Sequence, residues 1–231
     1  MINIHPQYKK AKNFHKSAFT MLELIMVIVV LGILASLALP RMERDLRQEA
    51  GDNILSAIRY TQHLALMDNK TDPSDRDWQK EYWQIRFSNS GGTEWWYTIA
   101  SNVDGGPNLD QSESAIDPAN GKYMHSSDVS PAAADESPNI FLTRLYGIKT
   151  VDFGDCDGRT GSGGNVRNTV RHIAFDHLGR PHRGVFGATN TFSTILRSTC
   201  QIKFEFEDAD DLLIAIEQET GYAQIVDQNA S

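Results

Sequence analysis

The stretch FTMLELIMVIVVLGILASLAL, residues 19–39, contains a single charged side chain, Glu23, in an otherwise apolar run. As a helix, about 20 apolar residues are long enough to cross the hydrocarbon core of a bilayer. A carboxylate inside a membrane costs about 2.5–3.5 kcal/mol on insertion scales, so it usually has a function and a partner charge nearby. The stretch therefore predicts a transmembrane helix in which Glu23 has a specific role.

Residues 1–18 precede this helix as a basic leader with four lysines and no acidic residue. Because basic flanks stay on the cytoplasmic side, we expect a cytoplasmic N-terminus, a single pass through the membrane and the remainder of the chain outside. A secretory signal cleaved near Ala35, Ser36 or Ala38 is one alternative, and a plain membrane anchor is another. Neither alternative explains Glu23.

The junction KSAFTMLEL, residues 16–24, resembles the class III signal of type IV pilins and type II secretion pseudopilins. The resemblance implies that the prepilin peptidase cleaves between Ala18 and Phe19 and methylates the new amino group of Phe19. Gly32 and Pro40 also stand where this family tends to have Gly and Pro. The departure is Ala18, because the residue before the cut is usually glycine.

The same resemblance implies an assembly role for Glu23, which becomes the fifth residue of the mature chain. Its carboxylate would meet the α-ammonium group of Phe19 on a neighbouring subunit, and such a pair is strongly directional in a low dielectric. The implied partners are other pilin or pseudopilin subunits, the prepilin peptidase and the inner-membrane assembly platform.

Beyond the apolar run, residues 40–70 predict an amphipathic continuation of the helix. The apolar stripe comprises Met42, Leu46, Ala50, Ile54, Ile58 and Ala65, with Leu55 and Leu64 beside it. Pro40 removes one backbone hydrogen bond, so we expect it and Gly32 to make the helix kinked or flexible.

Residues 71–231 suffice for one globular domain, and their apolar pattern changes to a period of two residues. The predicted strands are 83–88, 95–99, 170–176, 202–206, 212–217 and 222–226, the first two joined by a Gly-Gly turn. Polar residues 101–138 predict a long loop, functional or mobile. The pattern is typical of an α+β fold, with the long N-terminal helix packed on one face of an antiparallel β-sheet. Segments 175–180 and 214–222 resemble the outer domain of H-class minor pseudopilins and FimT-like proteins.

The net charge is −8, and removal of the four leader lysines makes it −12. This acidity argues against a general nucleic-acid-binding surface, so no nucleic-acid partner is expected, and against electrostatic docking on anionic lipid. Local basic patches are an alternative, but such residues are more often solvated on strand faces and turns; examples are Arg167, Arg171, Arg180 and Arg183.

Two cysteines, Cys156 and Cys200, would lie outside the inner membrane, where disulfides form. An even number favours pairing, with two separate thiols as the alternative. Beside Cys156, the carboxylates of Asp152, Asp155 and Asp157 offer oxygen ligands that suit calcium. The EF-hand spacing fails at this position, so solvated acids in a Gly-rich turn are favoured and no metal or cofactor is expected.

Catalysis and ligand capture are further alternatives. His172, Asp176, His177 and His182, followed by Ser193 and Ser198, would suit a zinc site or an activated serine, but no His-Glu-x-x-His or Gly-x-Ser-x-Gly is present. Exposed strand and turn histidines explain this cluster, so no enzyme is predicted. Four tryptophans would form an aromatic binding surface or, as we favour for at least half of them, hairpin core; they are Trp78, Trp83, Trp95 and Trp96.

The sequence thus predicts a minor pseudopilin of a type II secretion pseudopilus. A minor pilin of a type IV pilus or DNA-uptake machine is one alternative. A membrane-anchored periplasmic ligand-binding module is the other.

Overall fold

The structure, a computed structural model, describes residues 20–106, 108–127, 133–154, 156, 171–187 and 194–226, without the side chains of 36–45. Helix α1 spans Met21–Met67, and the chain divides into two compact units, Met1–Met42 and Glu43–Ser231. In the first unit, the described side chains on α1 are all exposed, from 82% for Met21 to 49% for Val27 among the large apolar ones. Within the part of the chain that the structure describes, no helix is both long and apolar enough to span a membrane.

The described residues of the second unit build two antiparallel four-stranded sheets. The strands are β1 Trp83–Ser90, β2 Glu94–Ser101, β3 Ile148–Asp152, β4 His172–Phe175, β5 Pro181–His182, β6 Cys200–Phe206, β7 Leu212–Ile216 and β8 Ala223–Val226. The strand order is β2-β1-β4-β5 in sheet 1 and β3-β6-β7-β8 in sheet 2. A short helix α2, Leu142–Tyr146, precedes β3. The 3₁₀ turns within the described ranges are Trp78–Glu81, Gln111–Glu113, Pro138–Ile140 and Val185–Gly187.

The α+β class and the antiparallel pairing are as predicted, but the prediction of one sheet is wrong. Strand β6 pairs with β3 and β7, whereas β4 pairs with β1, so the C-terminal strands close a sheet of their own. Both sheets contribute buried side chains to one core, as Ile85 in β1 and Phe204 in β6 illustrate. Two facing apolar sheet surfaces bury each other where a single sheet would have left one of them in water.

Within the second unit, α1 buries the predicted stripe at Ala50, Ile54, Ile58 and Ala65, while Leu46 is 41% exposed. Gly51 allows close packing on sheet 2, because an added Cβ would lie 2.9 Å from Ile225 Cδ1. The absent side chain at Gly51 thus leaves room for Ile225 of β8 against the helix.

The polar segment predicted as a loop has internal structure organised by two buried carboxylates. Glu113 is 7% exposed and accepts hydrogen bonds from the backbone N–H groups of Val103, Asp104 and Asp110. Asp117 is 4% exposed and also accepts several hydrogen bonds; the donors are the Ala119 N–H, the Ser137 hydroxyl and the amides of Asn120 and Asn139. The two carboxylates thus accept hydrogen bonds from backbone N–H groups that have no partner strand or helical turn in this segment.

Candidate functional site

Helix α1 begins with a capping box formed by Thr20 and Glu23. The Glu23 N–H donates to Thr20 Oγ1 and the Thr20 N–H donates to Glu23 Oε2, both at 3.3 Å. The Thr20 hydroxyl also donates to Glu23 Oε2 at 3.4 Å. These bonds satisfy donors at the helix start, where the helix dipole also favours a negative charge.

Glu23 therefore has a role within its own chain, in addition to the predicted one between subunits. A Thr-x-x-Glu spacing before an apolar run is a sequence sign of a helix start, so Thr20 was detectable and was missed. Because the Glu23 side chain is exposed, its carboxylate is also accessible to a cation from a second chain.

The structure describes some of the other residues predicted in the N-terminal segment. Ala18 and Phe19 lie outside the described residues. The helical backbone continues through Gly32 and Pro40. Among the described residues, no atom beyond the local turn lies within 4 Å of the place that a Cβ of Gly32 would take. The Pro40 side chain is outside the described part, and the roles of both residues in helix flexibility stay predictions.

Cys156 and Cys200 are joined by a disulfide. The bond links the segment after β3 to the start of β6, and the Cys156 carbonyl accepts a hydrogen bond from Arg183 Nη1 at 3.2 Å. Of the three carboxylates considered for calcium, Asp152 accepts the Gly154 N–H at 2.8 Å, while Asp155 and Asp157 lie outside the described residues. In the described ranges, no three His, Cys, Asp or Glu side chains are grouped to hold a metal ion.

The histidine cluster was predicted to be exposed, and for two of its members this is wrong. His182 is 0% and His172 is 5% exposed, because the 3₁₀ turns Trp78–Glu81 and Val185–Gly187 contribute the side chains packed with this face of sheet 1. His177 lies apart, with its Nδ1 3.1 Å from Thr71 Oγ1. Ser193 is outside the described residues.

Around His182, a series of polar contacts connects the buried side chains of Thr194, His182 and Asp176 to the half-buried Arg180. His182 Nδ1 lies 2.8 Å from Thr194 Oγ1 and its Nε2 lies 3.3 Å from Asp176 Oδ2. Arg180 donates to the same oxygen from Nε at 2.7 Å, and Asp176 Oδ1 accepts the Arg180 N–H at 2.9 Å. Asp176 is 1% and Thr194 6% exposed, so these contacts fix the turn between β4 and β5 and leave neither of these two side chains open to a substrate.

Burial alone would raise the pKa of Asp176. Hydrogen bonds from His182 and Arg180, with the charge of His182, outweigh burial and hold that pKa well below its usual range. A carboxyl whose pKa is depressed by folding stabilises the fold above its unfolded pKa, near 3.9, and that contribution is lost as the pH falls toward the folded pKa.

We therefore expect Asp176→Asn to lower the free energy of unfolding of the globular unit by about 2 kcal/mol at pH 7. The difference between the native chain and the variant should shrink as the pH falls below about 4. Urea unfolding of the detergent-solubilised chain, followed by tryptophan fluorescence at several pH values, measures both quantities. The exposed Asp208→Asn serves as control, with a change within about 0.5 kcal/mol. A pH-independent difference for Asp176→Asn would contradict the linkage.

His172 lies on the same sheet face, edge-on to Phe186 with ring centroids 5.3 Å apart. Burial, and then the positive charges of Arg86 and Arg183, lower the pKa of His172 to about 3, so it is neutral. The prediction that the basic residues are solvated is wrong for Arg183, which is 7% exposed and lies over the Phe153 ring. Arg167 is outside the described residues.

The tryptophans belong to the core, as predicted for at least half of them. Trp78, Trp95 and Trp96 are at most 6% exposed. Trp83 is half-buried, and its indole N–H donates to Asp68 Oδ2 at 2.9 Å. Of the four indoles, only that of Trp83 is thus exposed enough to contact a ligand.

The segments 175–180 and 214–222 meet at one residue of α1, Gln62. Its side-chain amide donates to the carbonyls of Gly179 and Thr220, both at 2.8 Å. The two turns touch so closely that a Cβ on Gly221 would lie 2.3 Å from the Gly179 oxygen. One helix residue thus ties together the turns of both sheets; their resemblance to H-class pseudopilins stays a prediction.

A cavity of about 520 Å³ opens between α1, β2 and the polar segment. The residues that line it include Glu49, Asp52, Asn53, Tyr60, Tyr97, Asp117, Asn139 and Tyr146. These residues are far apart in sequence, and the cavity was not predicted.

Residues 13–39 match the model of the prokaryotic N-terminal methylation motif. No curated protein and no solved structure is significantly similar to the chain. The matched range contains the junction of Ala18 and Phe19, the capping residue Glu23, and the start of α1. The motif supports a type IV pilin-like or pseudopilin precursor.

Proposed function

We propose that the chain is a minor pseudopilin, a non-enzymatic subunit of a type II secretion pseudopilus. In this proposal the prepilin peptidase cleaves between Ala18 and Phe19 and methylates Phe19. The apolar run 19–39 then holds the mature chain in the inner membrane, with the globular unit in the periplasm. The methylation motif over residues 13–39 is the observation that carries the proposal.

The first unit supports an assembly role through its surface. Large apolar side chains on α1 are 49–82% exposed, and contiguous apolar surface of this kind marks a membrane or subunit interface. Glu23 is the single acid in the apolar run, and its exposed carboxylate suits a cationic partner on a neighbouring chain.

The buried state of the histidine cluster supports a non-catalytic role. A general base must come within hydrogen-bond reach of its substrate, directly or through one water. His182 and Asp176 are at most 1% exposed and already use their polar atoms on Thr194 and Arg180. Their hydrogen bonds instead stabilise the β4–β5 turn.

The proposal is tested by the N-terminal mass of the chain recovered from membranes with and without active prepilin peptidase. We expect a mature chain that begins at N-methylated Phe19 and that is absent without the peptidase. A chain that retains Met1 in both strains, or one cut near Ala35, contradicts the proposal. Loss of protein secretion on gene deletion would favour the pseudopilus, whereas loss of pili or DNA uptake would favour the pilin alternative.

A membrane-anchored binding module is the second candidate, and the cavity beside α1 favours it. Cavities of 300–1,000 Å³ are typical of small-ligand sites, and this one lies within that range. Cross-linking to other pilin-like subunits would favour the pseudopilin, since a tethered binding module needs none.

A further inference from the structure

One polar group that lines the cavity beside α1 has no hydrogen-bond partner among the described residues. Tyr146 lines the cavity and is only 7% exposed. In the described residues its hydroxyl has no hydrogen-bond partner, unlike Tyr60, which donates to the Ile116 carbonyl, and Tyr97, which donates to Asn53 Oδ1. Such a hydroxyl is free to donate or accept a hydrogen bond with a ligand that enters the cavity.

The charge around this hydroxyl is negative. Glu49, Asp52 and Asp117 line the cavity, and none of the three forms an ion pair with a described residue. The hydrogen bonds to Asp117 come from neutral groups, the Ala119 N–H, the Ser137 hydroxyl and side-chain amides, so they leave its charge uncompensated. No lysine or arginine is among the described lining residues.

Two tyrosines that line the cavity, Tyr146 and Tyr60, have a raised pKa. Burial, and then the charge of Glu49, raises the pKa of Tyr146 to about 12. Burial, and then Asp117, likewise raises the pKa of Tyr60. The aromatic faces of tyrosine also attract cations within about 6 Å, so the walls and the carboxylates favour the same kind of ligand.

We propose that this cavity binds an alkylammonium group, with the carboxylates of Glu49 and Asp52 at its mouth and the Tyr146 hydroxyl as an acceptor inside. The alkyl part lies against the tyrosine rings and Met124, and the ammonium group donates to the oxygens. The ammonium comes either from a free amine or from a lysine side chain of another protein. This binding site does not depend on the proposed role in a pseudopilus.

The test is an NMR titration of the full chain in detergent micelles, with ¹³C-labelled tyrosine rings. The probe is 1,5-diaminopentane, and 1,5-pentanediol of equal length and no charge is its control. We expect saturable shifts of Tyr60, Tyr97 and Tyr146 with the diamine alone. Equal shifts with the diol, or no saturation by tens of millimolar diamine, would overturn the proposal.

Matched variants distinguish binding in the cavity from a general attraction of the diamine to the acidic protein. The double variant Glu49→Gln, Asp52→Asn changes exposed helix residues and should weaken diamine binding by about tenfold or more. Asp208→Asn removes one exposed carboxylate outside the cavity and should leave binding unchanged. Tyr146→Phe should weaken binding with little change in shape. Unchanged binding in the double variant would overturn the proposal.

Two further probes identify the source of the cation. Tighter binding of Nα-acetyl-lysine amide than of 1,5-diaminopentane supports a protein lysine, and the reverse order supports a free amine. If calcium ions saturate the same resonances and neither amine does, the cavity binds a metal ion rather than an alkylammonium group. That outcome would overturn the proposal.

Discussion

Gly221→Ala is expected to lower the free energy of unfolding of the globular unit by about 4 kcal/mol or more. Gly221 has φ +65°, a left-handed conformation that costs a residue with a Cβ about 1–2 kcal/mol. The new Cβ would also lie 2.3 Å from the Gly179 carbonyl oxygen and 3.0 Å from a Phe175 ring carbon. A backbone oxygen cannot move aside as a flexible side chain can, so overpacking adds about 1–3 kcal/mol. The contact of Gln62 with both turns would be lost as they separate.

Gly121→Ala is the matched control for this prediction. Gly121 has φ +72°, but in the described residues no atom beyond its own chain neighbours lies within 4 Å of the place that its Cβ would take. It should therefore show the backbone cost alone, about 1–2 kcal/mol. Urea unfolding of the detergent-solubilised chains, followed by tryptophan fluorescence, compares the two variants. Equal losses for Gly121→Ala and Gly221→Ala would show that the close approach of the turns has no energetic weight.

The order of elements was predictable from sequence because each depends on local periodicity. Alternation of apolar residues from Trp83 to Phe87 and from Ile202 to Phe206 marked strands that the structure contains as β1 and β6. The stripe through Ile54 and Ile58 marked the buried face of α1. The Gly-Gly turn gave the pairing of β1 with β2, because a short connection brings consecutive strands together.

The division into two sheets was not predictable in the same way. Alternation shows that Phe204 faces a core, but not which strand lies beside it. The pairing of β6 with β3 joins residues more than 50 positions apart, as in Ile148 with Phe206. Such a choice depends on the packing of the complete core.

The burial of His172 and His182 was missed for a related reason. Polar residues on a strand face usually indicate solvent, and here two 3₁₀ turns pack with that face. The cavity beside α1 escaped prediction because Glu49, Tyr97 and Tyr146 come from a helix, a strand and a second helix distant in sequence. The capping box at Thr20, by contrast, was within reach of sequence alone.

Glu23→Ala is expected to leave processing and membrane insertion intact and to reduce incorporation into the filament by about tenfold or more. In the proposed filament, its removal leaves the Phe19 ammonium of a neighbouring subunit without a counter-charge inside the membrane. An unpaired charge there costs about 2.5 kcal/mol or more, which exceeds the 1.4 kcal/mol that corresponds to tenfold. Quantitative immunoblotting of sheared filaments, relative to membrane-bound mature chain, measures the incorporation.

Two variants separate this intermolecular charge from the capping box. Glu23→Gln keeps an acceptor for the Thr20 N–H, since glutamine also completes a capping box, but removes the charge. Thr20→Ala removes the hydroxyl that accepts the Glu23 N–H and keeps the charge, at a cost of about 1 kcal/mol in helix stability. If the charge governs assembly, Glu23→Gln fails like Glu23→Ala, and Thr20→Ala assembles nearly as well as the native chain. If Glu23→Gln assembles normally while Thr20→Ala does not, Glu23 acts by starting helix α1, and the pairing with Phe19 of a neighbour is wrong.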